Sequence, residues 1–239
     1  MKVQSERRLI GIVPAAGYAA RLPGLRCSKE ALPVGGRPVI EHLLERMSIA
    51  GCSDIRVVTR PEKVDVIGIA TRWGSKVVLA RPPDVSASLL AGCDGARSND
   101  VILFGFPDTV WEPLDGFRRL VAAMTDSIHV VLGLFRWDEA DRGDVVRLDP
   151  SGAIAGIEIK PPHPSSSLIW GCAALRADQL RTFRAGIEPG DRFEQMNKQG
   201  ILTGIRLSDD FTDIGSPGTY SAFVDSPRSF RDPADIGGK

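Results

Sequence analysis

The chain lacks the spacings on which a sequence-legible metal or redox centre is usually built. Its four cysteines, Cys27, Cys52, Cys93 and Cys172, form no C-x-x-C pair, and its three histidines, His42, His129 and His163, form no H-x-x-x-H. A zinc or dithiol site normally needs such spacing, so the cysteines are read as buried thiols that behave as small hydrophobes. No charge of either sign predominates: 30 Lys+Arg stand against 30 Asp+Glu in 239 residues. That argues against the basic face of a nucleic-acid binder, and no nucleic-acid polymer is expected as a partner. No apolar run approaches the ~20 residues of a membrane-spanning helix. The charged start Met1–Arg8, followed by a short apolar run, does not read as a signal peptide. Internal repeats and low-complexity tracts are also missing. The expectation is a soluble, cytoplasmic protein with no membrane partner.

What is present is an alternation of short apolar runs and helix-period segments. Leu9–Val13 reads as a strand, and Val39, Ile40, Leu43, Leu44 and Met47 recur at helical spacing over Pro38–Ala50. Pro38 suits a first helical turn and Gly51 a left-handed stop. Strands are expected at Ile55–Thr59, Lys76–Ala80 and Val101–Phe106, with helices at Lys63–Arg72, Val85–Ala96 and Leu114–Met124. Such alternation implies an α/β fold, a Rossmann-like, mostly parallel sheet sandwiched by helices. The second half reads as β-rich, with strands at His129–Phe135, Asp144–Leu148, Ala153–Lys160 and Leu168–Leu175. It is taken as a β-rich insertion, with a lid over the parallel sheet as one form it could take. A helix near Ala177–Phe183, a strand near Ile201–Leu207 and a helix near Thr219–Val224 close the fold. Residues 1–225 are assigned to one domain and 226–239, rich in Pro, Gly and Asp, to a flexible C-terminal tail.

Ligands of a parallel sheet bind beyond the C-terminal ends of its strands, so the loop after Val13 is the first candidate. Ala15, Ala16 and Gly17 are small enough for backbone N–H groups to approach a phosphate. Arg21 and Lys29 add the positive charge that a polyphosphate requires. Neither a Walker A loop nor a full G-x-G-x-x-G is present.

Pro14-Ala15-Ala16-Gly17, Arg21-Leu22 and Lys29-Glu30-Ala31-Leu32-Pro33-Val34 together resemble the G-x-G-T-R-L and P-K-x-x-x-P-V signature of the sugar-1-phosphate nucleotidylyltransferases. The opening looks most like the glucose-1-phosphate thymidylyltransferase and UTP–glucose-1-phosphate uridylyltransferase branch. Phe106-Pro107-Asp108 and Thr212-Asp213-Ile214-Gly215-Ser216-Pro217 extend the similarity along the chain. The resemblance implies a Mg²⁺-dependent reaction of a nucleoside triphosphate with a sugar-1-phosphate. It makes Asp108 and Asp213 the metal ligands, Arg21 and Lys29 the catalytic cations, Ala15, Ala16, Gly17 and Arg21 the nucleotide contacts, and Lys160 the sugar-phosphate contact. It is also compatible with a homo-oligomer. Read from the residues alone, Asp108 and Asp213 are equally well turn or cap residues, and Lys160 an exposed strand end.

Three positions depart from the family pattern. Ile159 stands for a glutamate, Asp144 for a glycine of the sugar site, and Arg81–Ser88 lacks the base-pairing glutamine, with Val85 among its substitutes. The base therefore stays open among thymidine, uridine, cytidine and guanosine, and glucose-1-phosphate is doubtful as acceptor. Trp170 reads either as a pocket wall or as a core aromatic. The departures also leave an alternative, a catalytically degenerate domain serving as a binding or regulatory module. A dinucleotide-dependent oxidoreductase fits less well, since the loop before Pro38 is too long and no acidic residue clearly ends the second strand.

Overall fold

The computed structural model describes residues 7–18, 27–137, 139, 142–214 and 220. At its centre lies β1 (Leu9–Pro14), flanked in parallel by β4 (Asp54–Thr59) and β6 (Val101–Gly105), with β5 (Lys76–Leu79) beyond β4, while the two-residue strands β2 (Pro33–Val34) and β3 (Arg37–Pro38) pair only with each other. These strands read as unbroken apolar runs because both faces are covered. Alternate side chains separate into two cores. Val13, Val57 and Leu103 pack with α1 (Val39–Ile49), α2 (Val64–Arg72) and α4 (Gly116–Ala122). Ile10, Ile12, Ile102 and Phe104 pack with α3 (Val85–Gly92), α5 (Ala177–Leu180) and α6 (Pro189–Lys198) on the other face.

Most expected elements lie within a few residues of their predicted bounds, and Gly51 takes the left-handed conformation with φ 91°. Three expected helices end earlier than read: α3 at Gly92, α4 at Ala122 and α5 at Leu180. The expected last turn of α3 contains Gly95, and Thr125-Asp126 follow directly on the expected end of α4; both favour turns over continued helix. The helix α6 escapes the pattern because its ten residues carry only Phe193 and Met196 as large apolar anchors. The closing helix near Thr219–Val224 and the tail 226–239 lie outside the described residues, apart from Tyr220.

The second half departs from the expected lid. Its strands β8 (Val130–Arg136), β9 (Val145–Leu148), β10 (Ile154–Glu158), β11 (Leu168–Arg176) and β12 (Leu202–Ser208) continue the central sheet. The nine-residue β11 is the junction. Cys172–Arg176 pair with β6, Ile169 pairs with Val145 of β9, and the opposite edge of β11 pairs with β8. A register shift between Trp170 and Cys172 marks the point where β6 gives way to β9. A shared strand with both edges bonded leaves no independent surface on which a separate lid could form. The site lies at that division.

Candidate active site

The loop after β1 is fixed from the neighbouring strand. The Ala15 N–H is committed to the Val58 carbonyl at 2.8 Å, which holds the loop against β4. The Ala15 N–H is thus engaged within the sheet, whereas, among the described residues, Ala16 and Gly17 donate no such backbone hydrogen bond. The carbonyls are taken by cations that follow β4. Arg60 Nε donates to Ala16 O at 2.7 Å, and Lys63 Nζ donates to Ala15 O at 2.8 Å and Gly17 O at 3.0 Å. Arg21 lies outside the described residues.

A 3₁₀ turn, Lys29–Ala31, carries Lys29. Its neighbour Glu30 is fully buried and pairs with the same Lys63 at 2.7 Å. Burial pushes the Glu30 carboxyl up, against the pull of Lys63 and Lys29. Lys63 thus ties the β1 loop to the Lys29 turn. No motif reading singled out Lys63 or Arg60. Their position could have done so, because in a parallel sheet the residues after β4 must border the loop after β1.

Beyond β6 the chain turns through Asp108 into β7 (Thr109–Trp111), which pairs antiparallel with β13 (Phe211–Asp213). Asp213 is the register partner of Thr109, and the Ile214 N–H donates to the Asp108 carbonyl at 2.8 Å. Two carboxylates about a hundred positions apart are thereby set side by side. The buried Arg46 of α1 secures this ribbon by donating to the Trp111 carbonyl. Lys29 Nζ donates to Asp108 Oδ2. Burial works to lower the Lys29 pKa, but Asp108, Glu30 and Asp213 outweigh it and hold the amine charged. Arg142 Nη2 lies 3.9 Å from Asp213 Oδ2.

Lys29, Asp108, Asp213 and Lys160 line one cavity of about 250 Å³, together with Asp144, Glu188 and the aromatic rings of Phe106, Trp137, Trp170 and Phe211. The sequence-predicted residues that can be followed therefore converge, save that the β1 loop borders a neighbouring hollow with Lys29. Lys160 pairs with Glu188 at 2.6 Å. Trp170 is both wall and core: it packs against Phe104, Phe106 and Phe193, and its Nε1 donates to Asp144 at 3.1 Å. Burial raises the Asp144 carboxyl to about 6, against the pull of Lys160. Val85 also faces the cavity, at the start of α3 where Asp84 caps the Ala87 N–H at 2.8 Å. Of the cysteines, Cys52, Cys93 and Cys172 are buried as expected, but Cys27 is exposed because it precedes the Lys29 turn on the surface.

A divalent cation fits this donor set. Mg²⁺ is usually held by one or two carboxylates and completed by substrate phosphates. Asp108 and Asp213 supply oxygen alone, and among the described residues no cluster of three or more His, Cys, Asp or Glu offers a complete protein cage.

Comparison with known proteins gives the family and the fold. Residues 11–184 match the family described as the MobA-like NTP transferase domain. A glucose-1-phosphate thymidylyltransferase of Streptomyces griseus is 30% identical over 192 residues, which are 77% of this chain and 53% of that protein. The chain thus spans about half the length of this curated relative. Among solved structures, a Bacillus anthracis protein assigned as a glucose-1-phosphate thymidylyltransferase, in complex with a sucrose, superposes with TM-score 0.80 at 22% identity, covering 90% of this chain and 93% of its own. A UDP-glucose pyrophosphorylase from Acinetobacter baumanii superposes with TM-score 0.75 at 19% identity, covering 91% and 92%. At these identities the likeness is one of fold: a mixed, mostly parallel nucleotidyltransferase sheet.

Proposed function

This chain belongs to the MobA-like NTP transferase domain family, and from that premise we propose that it is a Mg²⁺-dependent nucleotidyltransferase. It joins a nucleoside triphosphate to a sugar-1-phosphate or a related phosphorylated polyol. The observation that carries the reading is the convergence of Lys29, Asp108, Asp213 and Lys160, from four separate segments, on one cavity beyond the C-terminal end of β6.

In the proposed reaction an acceptor phosphate oxygen attacks the α-phosphorus. The α-phosphorus–oxygen bond to the β-phosphate breaks, and pyrophosphate leaves. Phosphoryl chemistry of this kind asks the protein mainly for positioning and charge neutralisation. Lys29, kept protonated by its carboxylate neighbours, neutralises the α-phosphate as the acceptor approaches. Arg21 contacts the departing pyrophosphate and the α-phosphate. Gly17 and Ala16 turn N–H groups to the nucleotide, and Lys160 takes the acceptor phosphate at the cavity's rim. Asp108 and Asp213 would hold the Mg²⁺, which supplies charge neutralisation of the triphosphate oxygens when bound. Release of Lys29 from Asp108 is the rearrangement that substrate binding requires of this chain.

The test is pyrophosphate release from a panel of nucleoside triphosphates and sugar-1-phosphates, with and without Mg²⁺. Asp108→Asn is expected to lower turnover by ~10²–10³, the scale of losing one electrostatic stabiliser, with its unfolding midpoint retained. Wild-type rates in that variant would overturn the metal assignment. Tight triphosphate binding without release for every pair would instead favour a regulatory module.

A further inference from the structure

The cavity holds a carboxylate that neither the triphosphate nor a metal requires. Asp144, directly before β9, lines the cavity beside Lys29 and Asp108 although the residue is only 7% exposed. One of its oxygens is held: Trp170 Nε1 donates to Oδ2 at 3.1 Å, and the Lys160 backbone N–H reaches the same carboxylate. The other oxygen, Oδ1, is buried and takes no hydrogen bond among the described residues. A buried acceptor left without a donor is costly and uncommon in native structures.

The surroundings are built to keep the carboxylate there. A Cβ on Gly190, in the first turn of α6, would fall 2.3 Å from Asp144 Oδ2 and 2.6 Å from Ile159 Cδ1, so a larger residue there would displace the carboxylate. Lys160 adopts φ 39°, a conformation rare outside glycine, at the point where its N–H meets Asp144. Such departures collect at ligand sites, where the surroundings over-determine them. The Lys160 ammonium, whose charge acts on this carboxylate, is already engaged with Glu188 at 2.6 Å. The cavity that Asp144 lines is also walled by the Trp137, Trp170, Phe106 and Phe211 rings, which suit a carbon skeleton with one polar edge.

Resting on the nucleotidyltransferase reading above, we infer that Asp144 is the specificity-determining residue for the acceptor: Oδ1 accepts a hydrogen bond from a hydroxyl or ammonium group of the phosphorylated acceptor. An acceptor with nothing to donate at that position leaves the buried oxygen unpaired and is rejected. Discrimination of this kind, by a site built for a donor, exceeds what an apolar pocket achieves.

The experiment measures pyrophosphate release with saturating triphosphate. The acceptors are glucose-1-phosphate, its singly deoxygenated forms, its 2-amino form and phosphoethanolamine, tested on the wild type and on Asp144→Asn. Asparagine can still accept from Trp170 but presents an N–H where Oδ1 stood. In the wild type, the acceptor that donates to Oδ1 is expected to exceed its deoxy partner in kcat/KM by ~10–100-fold, the range of a hydrogen bond to a charged group. In Asp144→Asn that ratio collapses towards unity, while the KM for triphosphate is unchanged. Preference for the amino compounds would identify ammonium as the donor, and preference for the parent sugar would identify hydroxyl. Equal loss on the donor-bearing and deoxy acceptors, or an unchanged ratio, overturns the assignment and leaves Asp144 a structural residue.

Asp144→Ser, with thermal unfolding of both variants, guards against misfolding as the cause. If the wild type releases no pyrophosphate with any pair, the proposed function falls by itself. Calorimetric binding of the same acceptors then decides on Asp144: discrimination in Kd that Asp144→Asn abolishes sustains the role, and absent or equal binding removes it.

Discussion

At the scale of single residues, the site is held by buried polar groups whose ionisation is fixed by their neighbours. His42 of α1 is an example outside the cleft. Arg37 donates to its Nδ1 at 3.0 Å and its Nε2 faces the Val34 carbonyl at 3.1 Å, a pairing that only the neutral ring satisfies. Burial, with the positive charge of Arg37 and Arg46 nearby, depresses its pKa to about 4. The unfolded chain therefore binds a proton that the folded chain refuses between about pH 6.5 and 4, and stability falls as pH falls through that window. The loss should approach ~3 kcal/mol. Urea unfolding at a series of pH values, with His42→Gln as the comparison, checks it; the same slope in the variant would assign the effect elsewhere. Among the functional candidates, Lys29 was legible because it sits inside a local motif. Lys63 was not, because its three acceptors come from segments about thirty to fifty positions away.

At the scale of elements, close approach of helices to the sheet decides where the cleft's edges lie. A Cβ on Gly92, at the end of α3, would meet Ile12 Cγ2 at 2.5 Å and Val58 Cγ2 at 3.1 Å. Gly92→Val should destabilise the protein by ~1–3 kcal/mol through overpacking, measured by chemical unfolding. Gly68 of α2 is the contrast, since a Cβ there meets nothing nearer than Arg72 Nη1 at 3.7 Å. Gly68→Ala should stabilise by ~0.5–1 kcal/mol from helix entropy. If the two substitutions had the same sign, close packing of α3 would not be what requires Gly92. The predictability of elements followed the same physics. The helix α1 was legible because its apolar stripe spans three turns, whereas α6 hides its two anchors among polar residues. The short strands β7 and β13 escape a sequence reading because three residues carry too little periodicity, and their pairing is a tertiary event.

At the scale of the whole molecule, β11 joins both halves of the sheet and contributes to both cores. The protein should accordingly unfold as one cooperative unit. Tryptophan fluorescence, which reports Trp73, Trp111, Trp137 and Trp170 across both halves, and far-ultraviolet circular dichroism should give coincident urea transitions. Two separated transitions would mean that the β-rich half folds independently, as a lid would.

The sequence by itself determined the alternating α/β order, the stop at Gly51 and the loop after the first strand with its lysine, and it singled out the two aspartates as candidates. Those features are local, or rest on short motifs whose chemistry needs particular residues at fixed spacing. Only the tertiary structure decided that the second half extends the sheet, that Ala15 spends its N–H on β4, and that Lys63 braces the Lys29 turn. It alone set Asp144 against Trp170 and Gly190 with one oxygen unpaired. Each of these depends on which backbone and side-chain groups meet across the fold, and hydrogen-bond satisfaction between distant segments leaves no periodicity in the chain.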